Sequence, residues 1–263
     1  MDNIKEGDIK VKVLITGASS GIGKELAKMY AKRNYELILV ARNKEKLQEA
    51  KKEIIEISNN DKIELEFLDI SIEENAIKLY NKYPQIDILI NNAGFGTCGQ
   101  FVDTNLEKEL KMINTNIVAY HILTKLYLQT MVKKDSGKIL NVASIAGFLP
   151  GPLMASYYAT KNYIVAMCES IREELKKRKS KVVISILCPG PVNTNFNKVA
   201  DVKFSMREAN SQDIASYAIK KLDKNKFYIV PGIDVKFVRV FAKVFPNYII
   251  SKVIYRVQKR KIM

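Results

Sequence analysis

The sequence predicts a doubly wound α/β protein with a seven-stranded parallel sheet. Three observations predict it. Apolar, β-branched runs alternate with helix-length amphipathic segments from one end of the chain to the other. Those runs are almost continuously apolar, as strands buried on both faces must be. No repeat, low-complexity linker or shift in composition divides the first 232 residues, so they read as one domain, with residues 233–263 as a helical appendage.

In chain order, the strand candidates are residues 11–16 (VKVLIT), 35–41 (YELILVA), 63–69 (IELEFLD), 86–91 (IDILIN), 138–143 (KILNVA), 182–188 (VVISILC) and 227–230 (FYIV). Between them, residues 23–33, 44–58, 73–83, 106–133, 155–178 and 212–223 carry the helical period. Two long uncharged stretches, 139–160 and 182–197, are broken by Gly147, Pro150, Gly151 and Pro152, and by Pro189-Gly190-Pro191. Strands running into loops explain both better than membrane spans. The charged opening MDNIKEGDIK lacks an apolar core, so no secretory leader is expected and a cytoplasmic location is. Three unpaired cysteines (Cys98, Cys168, Cys188) and a single histidine, His121, exclude a disulfide scaffold and a Cys/His zinc site, and no metal is expected.

The chain carries 43 Lys and Arg against 28 Asp and Glu, a formal charge of +15. Most of that excess is lysine scattered over amphipathic helices, without the aromatic-laced basic stripe of a nucleic-acid surface. The tail differs: residues 235–263 hold eight basic residues and no acidic one. There the apolar positions Val235, Val238, Phe241 or Ala242 and Phe245, then Ile249, Ile250, Val253, Ile254 and Val257, predict two amphipathic helices joined at Pro246-Asn247. Their apolar stripe is expected either to pack on the domain or a partner subunit near the substrate pocket, or to lie on an anionic membrane surface.

The first strand runs into Thr16-Gly17-Ala18-Ser19-Ser20-Gly21-Ile22-Gly23 and then a helix. Glycines at this spacing let a backbone turn tightly and approach a pyrophosphate, which the amides of the helix N-terminus hold. A dinucleotide site usually places an acid for the ribose 2′-hydroxyl at the end of the second strand. Here Arg42 stands there, with Lys44 and Lys46 after it, which suits a 2′-phosphate and favours NADP (NADPH) over NAD. Asp69 and Ile70, ending the third strand, are placed to meet the adenine. Asn92, Ala93 and Gly94, ending the fourth, are small enough for a flat ligand to pass.

Tyr157 and Lys161 stand one helical turn apart. The same spacing recurs at Tyr217/Lys221, Tyr248/Lys252 and Tyr255/Lys259, but only Tyr157 has a hydroxyl residue, Ser144, thirteen positions earlier at a strand end. The chemistry is coherent. A carbonyl that gains hydride at carbon needs a proton at oxygen, and a phenol beside an ammonium can supply it, the ammonium, helped by a cationic nicotinamide in the oxidised complex, being expected to lower the phenol pKa. Tyr158, next to it, is expected in the core or pocket wall.

Residues 16–23, Asn91-Asn92-Ala93-Gly94, Ser144, Tyr157-x3-Lys161 and Pro189-Gly190-Pro191-Val192-Asn193-Thr194 together resemble the main, tyrosine-dependent branch of the short-chain dehydrogenase/reductase family over roughly residues 10–232. The resemblance implies a Rossmann fold and a tetrad of Ser144, Tyr157, Lys161 and Asn116, with Asn114 as the rival for the asparagine. In the cofactor site it implies Gly17, Ser19, Ser20, Gly21, Ile22 and Gly23, together with Pro189, Gly190, Val192 at the carboxamide and Thr194 at the phosphates. It also implies a homodimer or homotetramer acting on a small-molecule carbonyl or alcohol. Residues 195–210 are expected to form a mobile substrate lid, Phe95 and Cys98 to line the pocket, and His121 to be structural. A non-catalytic dinucleotide-binding regulator on the same fold is the alternative, although such a protein typically lacks the Tyr or Lys that this chain retains.

Overall fold

The computed structural model describes residues 11–193 and 209–262. Strands β1 (Lys12–Thr16), β2 (Glu36–Ala41), β3 (Ile63–Phe67), β4 (Ile88–Asn91), β5 (Lys138–Val142), β6 (Val183–Leu187) and β7 (Tyr228–Ile229) form one sheet in the order 3-2-1-4-5-6-7. Every pairing is parallel. Helices α1 (Gly21–Ala31), α2 (Lys44–Ser58), α3 (Glu73–Lys82), α4 (Leu106–Ile113), α5 (Ala119–Lys134), α6 (Ala155–Lys177) and α7 (Ser211–Asp223) alternate with the strands. Two apolar clusters form around the sheet. One contains Leu14, Ile38 and Leu89 with Tyr120 and Leu123 of α5, the other Val13, Ile15 and Leu39 with Leu26 of α1 and Ile219 of α7. Alternate β1 residues thus enter different clusters, which is why the strands are apolar throughout.

The chain winds outward in one direction through β1, β2 and β3, then returns to β4 beside β1 and winds the other way. The carboxyl ends of β1 and β4 therefore diverge into a crevice, the place where ligands bind in open α/β sheets. Buried amides tie the sheet together beneath it. Asn91 donates to Asn141 at 2.9 Å and to Thr124 at 3.1 Å, and it sits opposite Asn141 in the β4–β5 register. Helix starts are capped as their sequences suggest: Asn43, Asn105 and Asn210 accept backbone N–H groups in the first turns of α2, α4 and α7.

One departure from the expected elements bears on the site. The helix expected over residues 106–133 is interrupted by a π-helical turn, Asn114–Val118, between α4 and α5. Such a wide turn shifts the helical phase, and functional side chains often occupy one. The tail forms the two helices expected, α8 (Ile233–Val244) and α9 (Asn247–Ile262), and they pack on the domain, one of the two placements expected for their apolar stripe. Val235 is 5% exposed and Ile250 fully buried. No described helix is long and apolar enough to cross a membrane.

Candidate active site

A cavity of about 610 Å³ runs along the crevice, from the glycine-rich turn after β1 to the inner faces of α8 and α9. At one end, β1 stops at Thr16 and the chain turns at Gly17, whose φ of +66° suits glycine. Thr16 and Asn92 lock that turn. The Thr16 hydroxyl accepts from the Asn92 and Ala93 amides at 2.9 and 3.1 Å, and the Asn92 side chain donates to the Thr16 and Gly17 carbonyls at 3.0 and 3.1 Å. Asn92 lines the cavity, but its amide group is committed to holding the turn. A Cβ on Gly23 would collide with the Asn92 amide and the Gly17 carbonyl. Ser19, Ser20, Gly21 and Ile22 face the cavity at the start of α1, where no side chain caps the helix and no acid occupies the first turn. Those amides are available to an anion.

At the same end lie Arg42, Asn43 and Lys46. The Arg42 guanidinium is 3.6 Å from Asp69, and its side chain is 55% exposed. The Asp69 carboxylate does not reach freely into the cavity, because it accepts from the Ser71 amide and hydroxyl at 3.0 and 2.7 Å and also pairs with Lys111 at 3.3 Å. Burial pushes its pKa up, but the Ser71 bonds and the Arg42 and Lys111 charges outweigh burial and hold it below the usual carboxylate range.

At the other end, β5 delivers Ser144 and α6 delivers Tyr157 and Lys161. Ser144 is extended, and its hydroxyl accepts from the Ala146 amide at 3.2 Å as the cap of a short 3₁₀ turn, Ile145–Phe148. Tyr157 is 8% exposed and in hydrogen-bond contact with Ser144. Lys161 is 4% exposed; its Nζ donates to the Val142 carbonyl at 3.0 Å and lies 5.9 Å from the centre of the Tyr157 ring. Burial dominates both pKa values: the phenol is pushed up to about 12, against a small lowering from Ser144, and the ammonium down to about 8. The lysine by itself does not lower the phenol pKa. The loss of water around the pair outweighs a charge almost 6 Å from the ring.

Asn116 is fully buried in the π-helical turn. Its carboxamide accepts from the Phe95 amide at 3.2 Å, and donates to the Phe95 carbonyl at 2.9 Å and the Thr160 hydroxyl at 3.1 Å. Asn114 in the same turn is exposed. A Cβ on Gly94 would lie 2.9 Å from the Asn116 oxygen and 3.5 Å from Lys161 Nζ, so this stretch must be bare backbone. Ile70, Ala93, Pro189, Gly190 and Val192 also line the cavity. Thr194 and residues 195–208 of the expected lid lie outside the described residues.

The remaining wall is apolar. Phe95, Leu149 and Met154 pack with Tyr157, Tyr158 and Ile250 of α9 in one cluster, and Cys98 packs against it. Tyr158 stands edge-on to Tyr157 with ring centres 6.0 Å apart, and Gln258 of α9 donates to its hydroxyl at 2.6 Å. The other polar atom of that carboxamide is buried without a protein partner. His121 is on the surface, where its Nδ1 lies 2.7 Å from the Tyr163 hydroxyl. Sequence reasoning did not single out Gln258, Thr160 or Tyr120, whose ring centre lies 5.4 Å from Lys161 Nζ. Of these, only Gln258 left a trace in the sequence, as a polar residue adjoining the apolar stripe of the second tail helix.

A dinucleotide suits these residues. The glycine turn and uncapped helix start form an anion cradle, Gly94 leaves a passage that a Cβ would narrow, and basic side chains stand where an acid is usual. A family model described as short chain dehydrogenase matches residues 11–203. The chain is 35% identical over 190 residues to human dehydrogenase/reductase SDR family member 7, covering 70% of this chain but 56% of that one, so it spans a little over half that relative's length. It is 31% identical over 218 residues to an uncharacterized oxidoreductase of Staphylococcus epidermidis, covering 80% of this chain and 92% of the other. A short-chain dehydrogenase from Sphingobium yanoikuyae, solved in complex with NADPH, superimposes with a TM-score of 0.80 at 26% identity, covering 89% and 93% of the two chains. A glycine-rich dinucleotide cradle and a Ser–Tyr–Lys cluster in one cavity agree with these matches: the chain belongs to the short-chain dehydrogenase family of oxidoreductases.

Proposed function

We propose that this chain is an NADP-dependent oxidoreductase that moves hydride between nicotinamide and the carbonyl or alcohol carbon of an apolar or lipid-like substrate. The observation that carries the reading is that Ser144, Tyr157 and Lys161 share one cavity with Arg42 and Lys46 at its far end and apolar helices over its near end. The cofactor would be held by Gly17, Ser19, Ser20, Gly21, Ile22, Gly23, Arg42, Asp69, Ile70, Asn92, Ala93, Gly94, Pro189, Gly190, Val192 and Thr194, and would supply hydride. Everything else falls to the chain. Ser144 holds the substrate oxygen by its hydroxyl, and Tyr157 gives that oxygen a proton in reduction or takes it in oxidation. Lys161, anchored on the Val142 carbonyl, would donate to the nicotinamide ribose, and its charge together with that of an oxidised nicotinamide would favour the phenolate. Asn116, whose side-chain N–H groups go to Phe95 and Thr160, would hold, through an oxygen acceptor, a relay water that passes protons onward.

Arg42 and Lys46 favour a 2′-phosphate through charge-assisted bonds that NAD does not offer. Apolar walls formed by Leu149, Met154, Val238 and Phe241 favour a substrate with little polarity away from its reacting oxygen. We place the protein in the cytoplasm as a homodimer or homotetramer, with residues 1–232 as the catalytic unit. The test is NADPH oxidation followed by absorbance over ketones and aldehydes of increasing length. Turnover that rises with apolar length supports the reading, whereas cofactor binding with no turnover on any carbonyl points to a regulator.

A further inference from the structure

Helix α8 is apolar on two opposite sides, and the cavity uses only one. Val235, Val238 and Phe241 face inward over the site. On the outside, Phe237 is 71% exposed, Val240 60% and Val244 67%, positions that fall on one helical stripe. Phe245 and Tyr248 carry exposed apolar surface across the break at Pro246 into α9. Single exposed apolar side chains are ordinary, but a run of five marks a surface built to meet something.

The charges say what. Lys236, Lys252, Arg256 and Lys259 are exposed on the same two helices, and residues 235–263 contain no acidic side chain. Arg239 is turned inward instead, its guanidinium 3.5 Å from the centre of the Tyr228 ring, where it pins α8 to the domain. A second copy of this face would set like charges against each other. An anionic lipid surface complements both the lysines and the aromatic and aliphatic stripe.

We propose that the outer face of α8 and α9 docks the protein on an anionic membrane surface. The inner faces of the same helices wall the cavity, so docking holds the pocket beside the bilayer, where an apolar carbonyl compound would partition. The docking rests on this face alone; the origin of the substrate rests on the oxidoreductase reading, and vesicle binding needs neither cofactor nor turnover.

The full chain is to be sedimented with vesicles of phosphatidylcholine mixed with phosphatidylglycerol, and with vesicles of phosphatidylcholine alone, at low and high salt. We expect binding to the anionic vesicles that salt weakens. Phe237→Ser/Val240→Ser and Lys252→Glu/Arg256→Glu should each lower affinity at least roughly tenfold. Neither pair lines the cavity, so melting temperatures should match the parent. Wild-type protein that stays in the supernatant, or variants that sediment as well as wild type, overturn the proposal. So does a smaller assembly for Phe237→Ser/Val240→Ser in light scattering, which would make the face a contact between copies.

Discussion

Two adjacent tyrosines with different partners make the sharpest contrast at the residue scale. Tyr157 contacts Ser144, whereas Tyr158 is bonded to Gln258 of α9. Tyr157→Phe should abolish turnover and leave cofactor affinity nearly unchanged, because only the hydroxyl is lost. Tyr158→Phe should keep most of kcat and raise KM, since it releases the tail from the pocket wall. The reverse pattern in steady-state kinetics would exchange the two roles. Arg42→Asp should shift preference from NADPH towards NADH by at least roughly tenfold, the worth of one charge-assisted bond; titration of each cofactor measures it. Lys161 makes a prediction about pH. Its folded pKa, about 8, lies below its ordinary 10.5, so the folded chain binds fewer protons than the unfolded chain between those values. Lys161 therefore costs stability below pH 8, and the cost fades as pH rises towards 10.5. The unfolding free energy of wild type minus that of Lys161→Met should increase from pH 7 to pH 10 in denaturant titrations.

At the scale of elements, much of the site could be read from the chain. Alternating apolar runs placed all seven strands, and the glycine turn placed the crevice because it opened the first helix. Ser144 and the Tyr157–Lys161 pair were separable from three look-alike pairs by a strand end thirteen residues upstream. What stayed hidden depended on partners distant in sequence. No propensity announces the π-helical turn that buries Asn116 and leaves Asn114 outside, since residues 106–133 carry an ordinary helical period. Likewise, the commitment of Asn92 to the glycine turn appears only once β1 and β4 are neighbours. Gly94 tests how tightly these elements meet. Its methyl variant places a carbon 2.9 Å from the Asn116 oxygen, closer than a real Cβ comes to a neighbour, so something must shift. Overpacking of this kind costs about 1–3 kcal/mol. Gly94→Ala should lower the melting temperature by a few degrees and weaken cofactor binding several-fold; wild-type values for both would mean that the passage is wider than its backbone indicates.

For the whole molecule, the open choice in the sequence was what the apolar stripe of the tail would cover. Its inner side covers the cavity: Val235 and Ile250 are buried, Val238 and Phe241 line the site, and Gln258 bonds to Tyr158. Burying two such aliphatic residues contributes about 3–6 kcal/mol as an upper estimate. Typical domains hold about 5–15 kcal/mol in total, so the sheet and its two clusters should survive removal of residues 233–263 with reduced stability. The site should not survive intact, because the α8 and α9 part of its apolar wall goes with the tail while the glycine turn, Arg42, Ser144, Tyr157 and Lys161 remain. The truncated chain should therefore bind NADPH within a few-fold of wild type, turn over a short ketone, and lose most of its advantage on long apolar ketones through KM. Where truncation yields no folded protein, Val238→Asp in the full chain asks the same question by placing a charge in the wall. Unchanged KM values across the ketone series in either protein would show that substrate selection lies elsewhere, and that the inner face of α8 serves packing alone.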